Sequence, residues 1–114
     1  MPLFKLIKKE FSDEFKEWWW TYECLFELIF NKQIINKITI TDYYQKNHPE
    51  VTDDLILEML TKLNREILEA MEYNGNRKPY EWEVFHQYKP YRLFFWFKDG
   101  TTNHLWVRNC HRID

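Results

Sequence analysis

The side chains best suited to chemistry crowd into the last third of this 114-residue chain. Between Pro79 and Ile113 lie His86, His104 and His111, three of the four histidines, with Arg92, Arg108 and Arg112 forming the densest basic cluster. Any chemical or RNA-binding surface is expected there. Other chemistries are disfavoured by spacing. The histidines and the two cysteines, Cys24 and Cys110, lack the short regular intervals of a zinc site, so no metal is expected. Cys110 beside His111 makes no nucleophile–base pair on a strand, because adjacent strand residues point to opposite faces. With 2 Gly in the chain there is no phosphate-cradling loop, which disfavours nucleotide hydrolysis. No cofactor is expected.

The elements that must position these groups read as strands. Pro79–His86, Pro90–Phe97 and Asn103–Arg112 are aromatic and β-branched runs, and Asp99-Gly100 marks a hairpin between the last two. Tyr80, Trp82, Val84 and His86 share one face of the first run. Pairing Lys98 near Asn103 puts Arg92, Phe94 and Trp96 on the face of Leu105, Val107, Asn109 and His111, with Arg108 on the opposite face. Both faces are then aromatic, so one packs on helices while the N-terminal extension or a partner covers the other.

Upstream, Ser12-Asp13-Glu14 reads as a helix start, and Phe15, Trp18 or Trp19, Tyr22, Phe26 and Ile29 recur at helical spacing. A helix from about Asp13 to Phe30 follows, which Asn31-Lys32 weakens. Trp18-Trp19-Trp20 covers most of such a helix, leaving at least one ring either exposed or packed on a second element or another protomer. Lys37 to Thr41 alternates as a half-buried strand, and Asp42 to Asn47 reads as a short helical turn broken by Pro49. Thr52-Asp53-Asp54 caps a second helix bearing Leu55, Ile56, Met59, Leu60 and Leu63. Glu66 to Met71 continues as a helical turn or runs extended, and Tyr73–Asn76 is a turn.

Length and composition suit one soluble domain spanning 1–114. The net charge of -2 argues against a protein generally coated with nucleic acid, but its distribution is uneven. Residues 1–9 carry +3, residues 10–72 carry -8 and residues 73–114 carry +3. No apolar run is long enough for a signal or a membrane helix, and the widely separated cysteines fit a reducing cytosol, so a cytoplasmic location is expected.

From Lys37 onward the expected order is strand, helix and three antiparallel strands ending in a basic tail. With Ile38-Thr-Ile-Thr-Asp-Tyr-Tyr44, Val51-Thr-Asp-Asp-Leu-Ile56, Tyr91–Gly100 and Val107-Arg-Asn-Cys-His-Arg112, it resembles the RelE/ParE-like toxins, and among them the BrnT-type branch. The resemblance covers about two-thirds of the chain, and residues 1–36 have no counterpart in it. With the N-terminal helix read from its spacing, the expected fold is α+β: that helix, then the RelE-like strand, helix and three-stranded antiparallel sheet. The implied activity is metal-independent mRNA cleavage by the toxin of a type II toxin–antitoxin system. That reaction needs a base for the ribose 2′-hydroxyl, a cation for the phosphate and an acid for the leaving oxygen. The resemblance then makes His111 the acid or base, Arg92, Arg108 and Arg112 the phosphate cations, and Tyr91 a supporting or stacking ring. The chain departs from the family in two ways: Tyr43 or Tyr44 stands where a histidine commonly follows the first strand of the BrnT-like pattern, and the chain is slightly acidic where catalytic members are usually more basic.

RNA and an antitoxin are the partners this resemblance implies, with no membrane involved. The aromatic surface supports a second class of function. A non-enzymatic interaction protein, or a small oligomer, would use the aromatic sheet face and the Trp cluster, self-associating through the Trp18–Tyr22 region.

Overall fold

A computed structural model describes residues 2–44, 48–72 and 78–113. Six strands form one mixed sheet: β1 (Phe4–Ser12), β2 (Glu17–Phe30), β3 (Gln33–Thr41), β4 (Tyr80–His86), β5 (Lys89–Phe97) and β6 (His104–Arg112). A short helix, α1 (Asp53–Leu60), and a 3-10 turn (Thr61–Leu63) lie between β3 and β4. The strand order is β1-β2-β3-β6-β5-β4. Two antiparallel meanders therefore join at the centre, where β3 runs parallel to β6.

This corrects the expected architecture. There is no N-terminal helix and the sheet is six-stranded rather than three-stranded: the stretch expected to be a helix from Asp13 to Phe30 is mostly β2. Spacing of three and four misled because aromatic and apolar residues fill nearly every position, which satisfies either period. Local preference then decides, and Trp, Tyr, Phe and Ile favour a pleated surface. Ser12 does cap a turn, accepting from the Phe15 amide at 3.2 Å, but that turn closes the β1–β2 hairpin. Asn31 and Lys32 both have positive φ, 50° and 64°, so they form a tight two-residue hairpin turn. Gln87 and Tyr88, with φ of 50° and 67°, make the same turn between β4 and β5 without any glycine to announce it. The Asp42–Asn47 expectation falls partly, and the Tyr73–Asn76 turn wholly, outside the described residues.

Other expectations hold. Lys37 to Thr41 is strand, within the longer β3, but it is buried on both faces rather than one, Thr39 and Thr41 as fully as Ile38 and Ile40. Thr52 caps α1, its hydroxyl accepting from the Leu55 amide at 3.2 Å. Ile56, Leu57, Met59 and Leu60 bury against one sheet face with Ile38, Ile40, Leu93, Phe95, Leu105 and Val107. Phe30 anchors that core, its ring 5.0 Å from Tyr80 and 5.4 Å from Phe95. Glu66–Met71 runs without helix beside the Asn31 turn, whose side-chain amide donates to the Leu68 carbonyl and accepts from the Leu68 amide.

The β5–β6 register differs from expectation twice, and the differences compensate. The Asp99-Gly100 loop is one residue longer, so Phe97 faces Leu105 and Trp96 faces Trp106. A bulge at Arg108 then shifts the ladder again, so that Phe94 faces Asn109 and Arg92 faces His111. Leu105, Val107 and Cys110 thereby enter the core, while Trp106, Arg108 and His111 lie on the other face. The N-terminal residues extend the sheet at its edge instead of covering that second face.

Candidate active site

On the face away from α1, three neighbouring strands align a carboxylate, a guanidinium and an imidazole. Glu83 on β4 stands opposite Arg92 on β5, which stands opposite His111 on β6. Strand pairing alone sets this row, since directly paired residues share a sheet face. The Arg92 guanidinium lies 2.5 Å from Glu83 and 2.8 Å from Glu81, the next same-face residue on β4. His48 closes the other side, stacking on His111 with ring centroids 5.1 Å apart and planes at 29°. Phe94 is a further near-parallel ring 6.4 Å from His111.

The electrostatics of the row set the state of the imidazole. Partial burial, and then His48 and Arg92 nearby, push the His111 pKa below its ordinary value. The ring is therefore neutral at pH 7 and able to accept a proton. Its Nδ1 is buried without a hydrogen-bond partner among the described residues, an acceptor or donor kept in reserve. His48 Nδ1 lies 3.9 Å from the Glu50 carboxylate.

The structure thus brings together Arg92 and His111 and separates the other expected site residues from them. Arg108 shares the face but is committed to Glu17, a carboxylate only 5% exposed, through contacts of 2.5 and 2.6 Å. Its guanidinium also lies 4.1 Å above the Tyr43 ring. Tyr91 is buried in the core on the opposite face, and Arg112 pairs with Tyr91 at the end of the ladder, outside the row. Cys110 also faces the core, where burial pushes its thiol up to about 12. His104 is buried and bonded to the Thr39 hydroxyl at 2.7 Å, which in turn meets the Thr21 hydroxyl at 2.8 Å. Desolvation, then Lys98 and Lys37, lower its pKa to about 4, so it is a neutral structural imidazole.

Sequence reasoning did not single out His48, Glu81 or Glu83 as site residues. The alternation Glu81-Trp82-Glu83-Val84 carried the signal for the carboxylates, since it fixes both on the face that Trp82 leaves. His48 carried no such signal, because it lies in a connecting segment whose path depends on the fold.

A second feature shares the face. Trp19, Trp96 and Trp106, with Phe15 from the β1–β2 turn, line a groove of about 460 Å3 whose rim includes Lys98, Asp99 and Arg108. Trp19 meets Trp106 nearly edge-on, at 4.9 Å and 77°, and its indole N–H donates to Glu17 at 2.8 Å. The three indoles are half-buried rather than part of the core, and Phe15 is exposed. Among the described residues no group of three or more metal-ligating side chains converges, and no helix is long and apolar enough to cross a membrane. No protein-family model, curated protein or solved structure matches the chain.

Proposed function

We propose that this protein cleaves RNA by transesterification at the Arg92–His111 row. The observation that carries the reading is the alignment of Glu83, Arg92 and His111 across three strands with His48 stacked on the end. It assembles on one face the groups such a reaction needs. Neutral His111 takes the proton from a ribose 2′-hydroxyl, whose oxygen attacks the adjacent phosphorus. Arg92, held in place by Glu81 and Glu83, stabilises the charge gathering on the phosphoryl oxygens. As the bond from phosphorus to the 5′-oxygen breaks, His48 donates a proton to that oxygen. The products are a 2′,3′-cyclic phosphate and a free 5′-hydroxyl. Every proton is carried by a side chain of the chain itself, in keeping with the RelE/BrnT-type resemblance and a toxin role.

The test is to incubate purified protein with unstructured RNA in the presence of a chelator and to identify the new ends. Cyclic-phosphate products that fall by about 10²–10⁴-fold in His111→Ala support the reading. No cleavage by the native protein, or equal cleavage by the variant, overturns it. One observation favours a non-enzymatic alternative: Arg92 and Arg108 are both engaged by carboxylates, so the face already balances its own charge. An interaction protein on this fold would show binding through the open face with no such products.

A further inference from the structure

We infer that the tryptophan groove is a subsite for an unpaired base of single-stranded RNA, set along the sheet from the row at Arg92 and His111. The choice of RNA as ligand rests on the ribonuclease reading, and four observations fit the groove to it. The first is continuity. Arg92, Phe94 and Trp96 are successive same-face residues of β5, so the groove starts about 13 Å from the row along one flat track. Phe94, stacked towards His111, fills the middle of that track.

Second, the groove sets three indoles and Phe15 among charged side chains that nearly balance, Lys98 and Arg108 against Glu10, Glu17 and Asp99, with Arg108 held by Glu17. That chemistry suits a heteroaromatic ring better than a phosphate, and stacking on it tolerates any base. Third, Trp19 and Trp106 stand at 77°, forming a corner in which a flat ring lies against one indole and meets the edge of the other. Fourth, two lysines flank this part of the face. Lys37 and Lys98 both act on His104, which pairs with Lys37 across the parallel ladder, so they stand where a strand's phosphates would pass.

The groove's position disfavours an added protein strand as its occupant. Strand addition uses an unpaired edge. These rings sit on β2, β5 and β6, all of which have strands on both sides. The edge strands β1 and β4 contribute only Glu10 to the lining.

The test uses a short 2′-O-methyl oligoribonucleotide, which lacks the attacking hydroxyl and stays intact. Its binding is followed by quenching of tryptophan fluorescence. In parallel, the same preparations are given the unmodified RNA of the same sequence. Trp96→Leu keeps apolar bulk without a π face and is expected to weaken binding about tenfold, while Trp96→Phe restores most of it. For cleavage, Trp96→Leu is expected to raise KM while leaving kcat at saturation unchanged. Denaturation curves confirm that both variants fold, and Trp106→Leu supplies an independent second ring removal.

Wild-type protein that gives no saturable quenching overturns the subsite. So does unchanged affinity in both leucine variants. Cleavage that persists with KM unaltered in those variants overturns the subsite while leaving the ribonuclease reading intact. Ring-dependent binding without cleavage of unmodified RNA keeps the subsite and removes the ribonuclease reading.

Discussion

Removing Arg108 should cost this protein more than removing the carboxylate it binds. Glu17 is almost wholly buried, with both oxygens on the Arg108 guanidinium and one also accepting from the Trp19 indole. The Arg108 side chain keeps 29% of its surface in solvent and covers the Tyr43 ring. Arg108→Ala therefore strands a desolvated charge, whose cost lies near the lower end of the range for broken buried pairs, about 3 kcal/mol. Glu17→Gln leaves a guanidinium that still reaches water and an aromatic face, and its amide oxygen still accepts from Trp19, so its cost is about 1 kcal/mol. For a domain of this size the first change lowers Tm by about 12 °C and the second by about 4 °C. Glu17→Gln with Arg108→Met should come within about 1 kcal/mol of the native protein, because no buried charge is left alone. Urea denaturation with a common m-value measures all three. Equal costs for the two single changes, or a double variant as unstable as Arg108→Ala, would refute the reasoning.

Two other outcomes follow from particular residues. His104 binds fewer protons folded than unfolded, because its pKa is lowered to about 4. The stability it contributes is full above the unfolded value near 6.5 and is lost as pH falls from there towards 4. The loss is about 2 kcal/mol after allowance for solvent screening, and His104→Gln should flatten that part of a stability–pH curve. A curve unchanged by the substitution contradicts the assignment. Asn31→Ala puts alanine, which tolerates the left-handed region less well than asparagine, at φ 50° and removes the side-chain bonds to Leu68 and Tyr80. It should destabilise by about 3 kcal/mol, and Asn31→Gly by less, since glycine removes the backbone penalty. Equal destabilisation by the two would mean the left-handed turn carries no cost.

What the sequence made legible was whatever depended on near neighbours. The Thr52 cap, the Ile38/Ile40 alternation and the two faces of Tyr80–His86 are properties of a few consecutive residues. The N-terminal helix failed because Trp18-Trp19-Trp20 and its flanks satisfy both periods, and nothing local reveals that Asn31-Lys32 folds the chain back as a hairpin. The juxtaposition of Arg92 with His111 was legible, though by an accident of parity. One extra loop residue turned the expected faces over and the bulge at Arg108 turned them back, moving Arg108 itself to the open face. A bulge depends on what each neighbouring strand must bury, here Val107 and Cys110 together, and no pattern along β6 alone announces it. The stacking of His48 on His111 was out of reach for the same reason, as it joins segments far apart in the chain.

The parallel joint between β3 and β6 has a consequence for how the chain reaches this structure. Each meander closes through short loops and gathers its contacts locally. The seam between them links Lys37–Ile40 to His104–Val107, with α1, β4 and β5 lying between in sequence. Loop-closure entropy makes such a distant pairing the slow step in assembly. Until β6 arrives, β3 presents an unsatisfied edge with Ile38 and Ile40 bare, the condition under which chains associate wrongly. The lysines at 32 and 37 flank that interim edge and place charge where a second chain would otherwise pair.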